Sequence, residues 1–343
     1  MKRGGAGERD DYLWDRSGPV DLELERIERK LRPLAWKDSA GEPDWRRVTA
    51  RRLARGRRRR TALLLAAGLA LFAIGVASWL AIRPLGASWS VESLSPGATI
   101  DGRPIAAHAE LRRGQTLATG NGARVRLGIG WLGTVEVDPG AELAMVRASA
   151  KEHRLRLERG TLQARIAAPP RWFAVDTPAA AAIDMGCSYT LTVEAGGEGR
   201  LAVDTGWVAL VGQGRESYLP HGSHARIVAG HGPGTPIWDD APLALDESVA
   251  TLDGAWRVEL LDAALAAARP RDALTLWHLL ARAPAADRAR IAERLAAAAP
   301  PPAADTVARA VAGDRAALDA WWESLGLGGA EWWRNWRQPL PES

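Results

Sequence analysis

One cysteine in 343 residues leaves the chain without any internal disulfide framework, so its fold must stand on a hydrophobic core. Cys187 lies in an apolar, strand-like context and reads as a small core residue, not a nucleophile. The sequence also lacks a nucleophile elbow, a phosphate-binding glycine loop, a paired-histidine zinc helix and calcium-loop spacing. His221, His224 and His231 fall close together, but no cysteine or carboxylate stands at a ligand-like spacing. They are expected as solvated turn and strand-edge side chains. A non-enzyme without metal or cofactor is therefore predicted. Net charge is only +4, and much of the basic excess is local. The arginines between positions 46 and 60 have no interleaved aromatics and no DNA-binding motif, which argues against a nucleic-acid partner.

The prominent feature is the run TALLLAAGLALFAIGVASWLAI at residues 61–82, 22 residues without a charged side chain. As a helix at about 1.5 Å per residue it matches the ~30 Å hydrocarbon core of a bilayer. Backbone amides cannot be left unpaired in lipid, so a continuous helix is the form predicted. Neither face is polar, which argues against a buried soluble helix. Nine arginines precede it between positions 46 and 60, ending in Arg57, Arg58, Arg59 and Arg60, whereas Arg83 alone follows closely. Positive residues stay on the cytoplasmic side, so residues 1–60 are predicted inside and the larger remainder outside. The leader is too long for a cleaved signal peptide, and an uncleaved anchor is expected.

Within residues 1–60, Asp21 is placed to cap a helix whose first turn carries Glu23 and Glu25. Leu24, Ile27 and Leu31 recur at spacings of three and four, on one face, and Pro33 closes the helix. Leu34 then extends the apolar stripe from the following turn. So short a helix cannot bury its stripe alone. Three readings stay open: packing on its own flanking aromatics, docking on a cytoplasmic protein, or lying on the membrane surface. Docking is preferred, with Tyr12 and Trp14 enlarging the face formed by Leu24, Ile27, Leu31 and Leu34.

Residues 87–237 change character. Val125, Leu127 and Ile129 alternate with polar or small residues, as do Leu155 and Leu157, then Leu162, Ala164 and Ile166, then Tyr189, Leu191 and Val193. Period two marks strands with one wet face. Glycine-bearing breaks separate them at Gly120-Asn121-Gly122, Pro139-Gly140, Arg159-Gly160, Gly196-Gly197-Glu198-Gly199 and Gly212-Gln213-Gly214. An antiparallel sandwich, roll or barrel-like domain is predicted.

Here a family resemblance appears. Leu111-Arg112-Arg113-Gly114-Gln115-Thr116-Leu117-Ala118-Thr119-Gly120, the strand from Ala123 to Ile129, and Thr134 to Asp138 resemble the first half of a FecR-type periplasmic domain. Arg159-Gly160-Thr161-Leu162, Phe173-Ala174-Val175-Asp176-Thr177-Pro178, Asp184-Met185-Gly186-Cys187-Ser188-Tyr189, Val203-Asp204-Thr205-Gly206-Trp207-Val208 and Leu219-Pro220-His221-Gly222 resemble the second. The family usually has Gly-Thr at Gly186-Cys187 and an acidic residue at Thr205. The resemblance covers roughly 140 of 343 residues. It implies an anti-sigma-like regulator whose periplasmic domain senses an envelope event. Its cytoplasmic N-terminal segment would control an extracytoplasmic-function (ECF) sigma factor.

Beyond position 244 helices are predicted at 256–268, 273–282, 287–298, 306–311 and 314–324, as a small bundle or a HEAT-like stack. Trp321, Trp322, Trp332, Trp333 and Trp336 read as core of this region, or else as a face for a partner or a saccharide. The expected organisation is a cytoplasmic segment (1–60), a span (61–82), an all-β FecR-like periplasmic domain (87–237) and an α-helical domain (244–343). The chain is expected as a single-pass bacterial inner-membrane protein. Its expected partners are an ECF sigma factor inside and an envelope or outer-membrane partner outside. A non-catalytic envelope scaffold or glycan-binding protein is the alternative.

Overall fold

Alternating apolar residues become one curled sheet of 18 strands that folds over itself across a shared strand, β9 (His153–Ile166). The computed structural model describes residues 22–34 and 88–328. These belong to two units, which are described separately.

The first wing of the sheet runs β4 (His108–Arg112), β1 (Ser88–Ser93), β6 (Val125–Gly128), β7 (Gly133–Val137) and the second half of β9. It continues through β12 (Ser188–Val193), β13 (Gly199–Thr205) and β16 (Ser223–Val228), which is closed by β17 (Gly232–Pro233) and β18 (Ile237–Trp238). The second wing runs β3 (Arg103–Pro104), β2 (Ala98–Ile100), β5 (Thr116–Thr119), β8 (Glu142–Ala148) and the first half of β9. Then come β10 (Phe173–Asp176), β11 (Ala181–Asp184), β14 (Trp207–Gly212) and β15 (Arg215–Pro220). Each of these pairings is antiparallel; β9 and β10 run parallel. One core lies between the wings, with Trp89, Leu127, Leu143, Phe173, Tyr189 and Leu191 buried in it.

The sequence reading treats Arg159-Gly160 as a break between strands, and the structure corrects it. Leu155 and Leu157 are buried at odd positions, Leu162, Ala164 and Ile166 at even ones, yet β9 is continuous. The phase changes at Gly160, where φ is +99° and an added Cβ would lie 2.4 Å from Ala141 Cα. A glycine there lets the strand pass from one wing to the other while both halves keep their apolar side chains inside. Gly212-Gln213-Gly214 does turn the chain. Gln213 and Gly214 have φ of +49° and +72°, as a two-residue type I′ hairpin requires.

Within the same unit, helices α2 (Leu243–Gly254), α3 (Val258–Ala267), α4 (Ala273–Arg282), α5 (Arg288–Ala298), α6 (Thr306–Val311) and α7 (Arg315–Ser324) follow the strands. The sequence reading lacks α2, because its apolar and polar residues show little separation by face. Asp314 caps α7 by accepting from the Ala316 and Ala317 amides. The helices share a second core with the outer faces of β11, β14 and β15. Ala209, Tyr218 and Ile237 join Leu245, Leu274, Trp277, Leu280, Trp321 and Trp322 in it. Along β14, Val208 and Leu210 point into the sandwich and Ala209 joins the helices, so this strand has no wet face.

In the other unit, α1 (Leu22–Leu31) is followed by a 3-10 turn, Arg32–Leu34. The predicted span at 61–82 lies outside the described residues, and so do Trp332, Trp333 and Trp336. Among the described residues, no helix is long and apolar enough to cross a membrane.

Candidate functional site

The predicted docking face sits on α1. Glu23 and Glu25 occupy its first turn, Arg29 and Lys30 its last, both favourable to the helix dipole. Arg29 and Glu25 form an i,i+4 ion pair at 3.8 Å. None of the helix's residues is buried. Leu24 is half-buried, whereas Ile27, Leu31 and Leu34 keep 53%, 54% and 79% of their surface exposed. Leu24, Ile27 and Leu31 are brought onto one face, and Leu34 follows in the 3-10 turn. Tyr12 and Trp14, and Arg57, Arg58, Arg59 and Arg60, lie outside the described residues.

In the larger unit, a cavity of about 380 Å³ opens where the β14–β15 hairpin meets α4 and α7. Arg215, Arg282, Arg315, Glu216, Tyr218 and Trp277 line it. Arg282 is largely, though not fully, buried beside Asp253, 3.3 Å from Oδ1. It also donates to Thr235 Oγ1 at 2.8 Å, Ser217 Oγ at 2.6 Å and the Glu216 carbonyl at 2.8 Å. Burial pulls its guanidinium down to about 10, against the pull of Asp253 in the other direction, so it stays charged at neutral pH. Arg215 donates to the Asp253 carbonyl at 2.7 Å. Arg315 reaches Glu216 at 3.4 Å and Asp319 at 3.3 Å. The Tyr218 hydroxyl donates to Glu216 Oε2 at 2.5 Å, and burial raises its pKa. Three guanidiniums and one carboxylate, Glu216, thus line the cavity, while Asp253 and Asp319 pair with Arg282 and Arg315 from outside the lining.

His278 pins the same junction. Its Nε2 accepts the Tyr218 amide at 3.1 Å and its Nδ1 donates to the Leu274 carbonyl at 2.9 Å, which fixes a neutral tautomer. Burial, with Arg282 nearby, holds its pKa well below the usual histidine value. The rings of Tyr218, Trp277 and Trp322 surround it. Trp321 and Trp322 are buried in the second core.

Cys187 is buried in the turn before β12, where its thiol lies 2.6 Å from Asp184 Oδ2. Burial, with the Asp184 charge beside it, pushes the thiol far up; burial likewise raises the Asp184 carboxyl to about 7. Of the histidines expected to be solvated, His221 and His231 are exposed. His224 is the correction: it is buried, with Nδ1 2.8 Å from Asp239 Oδ1. Its strand is covered by β18, where Ile237 stands in register with it, and by α2. No cluster of metal-ligating side chains occurs among the described residues.

The sequence matches no established protein family and no curated protein. Two crystal structures of a candidate anti-sigma factor from Parabacteroides distasonis, at 2.50 and 1.65 Å resolution, are similar over part of their length. Each has 14% identity to this chain and a TM-score of 0.31, over 36% of this chain. The chain spans 59% of the length of those structures.

Proposed function

We propose that the chain is a FecR-like, anti-sigma regulator that crosses the bacterial inner membrane once. In this reading residues 1–60 lie in the cytoplasm and the β–helix unit lies in the periplasm. The exposed stripe on α1 is the single observation that carries the reading. Burying a leucine or isoleucine side chain is worth roughly 1.5–3 kcal/mol, so Leu24, Ile27 and Leu31 offer a partner a substantial apolar anchor. A ten-residue helix is marginal alone, which suits a segment that orders fully on its partner. The partner in this reading is an ECF sigma factor, and the outer unit changes the availability of the helix when it meets an envelope partner.

The test co-expresses the full chain with each ECF sigma factor of its own genome and follows complex formation in detergent together with a sigma-dependent reporter. One sigma factor should be retained by the native chain, and the triple variant Leu24→Ser, Ile27→Ser, Leu31→Ser should lose it and change reporter output. Retention of no sigma factor, with equal reporter output from both chains, would contradict the reading.

A further inference from the structure

The sandwich has two unlike ends, and the end at which the chain enters is basic and bears an exposed indole. Ser88 opens β1 opposite Arg112 of β4, and Ser90 is in register with Gly128 at the end of β6. The β6–β7 turn therefore projects from the entry end. Its Trp131 is 55% exposed, the one exposed tryptophan among the described residues. Trp131 packs edge-on against Trp172 at 5.8 Å, and the Ala167 amide donates to the Leu132 carbonyl at 2.8 Å. The turn is thus fixed to the loop that follows β9.

Arg113 follows β4 and Lys151 sits in the β8–β9 turn at this same end; neither makes an ion pair among the described residues. The neighbouring acids are occupied. Glu110 pairs with Arg112 at 3.3 Å, Glu152 with Arg147 at 2.7 Å, and Asp101 accepts from Gln115 and the Thr116 amide. At the opposite end, the β12–β13 hairpin carries exposed Glu194 and Glu198.

We infer that this end rests on the anionic surface of the membrane, with Trp131 in the interfacial layer and Arg113 and Lys151 over the headgroups. The inference rests on residues 61–82 spanning the bilayer. Only six peptide steps separate Ile82 from Ser88, so Ser88 lies within roughly 22 Å of the end of the span. Tryptophan is favoured at the headgroup level, and lysine and arginine are favoured near anionic lipid.

The test places the full chain in phosphatidylcholine vesicles with and without phosphatidylglycerol. An environment-sensitive fluorophore is attached at Ala167→Cys, beside Trp131, or at Ala195→Cys, on the far hairpin; the buried Cys187 leaves each introduced thiol selective. In anionic vesicles the Ala167→Cys label should lose most iodide quenching and gain quenching by headgroup-proximal spin-labelled lipid, while the Ala195→Cys label should not. Adding Trp131→Ser with Arg113→Glu should restore iodide access several-fold. Equal iodide access at the two sites, or protection that survives the double substitution, would overturn the inference. Release of the chain by alkaline carbonate would overturn the span beneath it as well. A chain that stays integral with an iodide-accessible Ala167→Cys label refutes the contact alone.

Discussion

Asp184, His278 and His153 give the larger unit an unusual pH response because burial works on them in opposite senses. Both histidines are held below their usual value by desolvation. In the unfolded chain they titrate near about pH 6.5, so acidification protonates the unfolded state first and stability falls below that pH. Asp184 is pushed up to about 7 by burial, against its hydrogen bonds from Cys187 and the Gly186 amide. Unfolded aspartate titrates near about 4. Between those values the folded chain holds a proton that the unfolded chain lacks, so its contribution is lost as pH rises through about 7. Asp184→Asn should therefore gain stability relative to the native chain between about pH 4 and about pH 7, by up to ~1.4 kcal/mol per pH unit. Urea unfolding across that range checks it; parallel pH profiles would contradict it. The same burial predicts that Cys187 stays unmodified by an aqueous disulfide reagent until the chain unfolds.

Gly160 and α1 show what the pattern of residues reveals about elements and what it hides. The alternation on either side of Gly160 identified both halves of β9, and the glycine marked the right place. Its meaning was hidden, since a turn and a kink both call for positive φ and only the closeness of Ala141 distinguishes them. Gly160→Ala should cost about 3 kcal/mol through that contact and the backbone strain, read as a lowered urea midpoint. An unchanged midpoint would contradict the crossing described for β9. The helices at 273–282 and 306–311 were legible from spacing and breaks. Helix α2 was not, because its buried face includes Ser248 and Asp253 while Leu243 is exposed, which blurs the apolar pattern. The helix at 22–31 was legible from the spacing of Leu24, Ile27 and Leu31 and from the break at Pro33. The exposure of Trp131 has a weaker sequence signal, Gly130 and Gly133 flanking it between two alternating strands.

Sheet and helices in the larger unit are held together by polar contacts as well as by the second core. Asp253 links Arg282 to Thr235, whose amide and hydroxyl both donate to it at 2.7 Å. Truncating one partner of a buried pair leaves the other charge unmet. Asp253→Ala should thus lose roughly 3–5 kcal/mol and release the helices from β15. Hydrogen exchange at the Tyr218 amide, which His278 accepts, would report that release directly. This junction was invisible in the sequence because its members come from β15, the segment before β18, α2 and α4. The proposed function requires residues 1–60 and the larger unit to lie on opposite sides of a membrane. A membrane-impermeant maleimide applied to cells with a permeabilised outer membrane tests this most directly, using Ala195→Cys and Ala6→Cys in the full chain. Modification of Ala195→Cys in intact spheroplasts, with Ala6→Cys modified only after lysis, is the predicted result. Modification of both positions only after lysis would contradict the account.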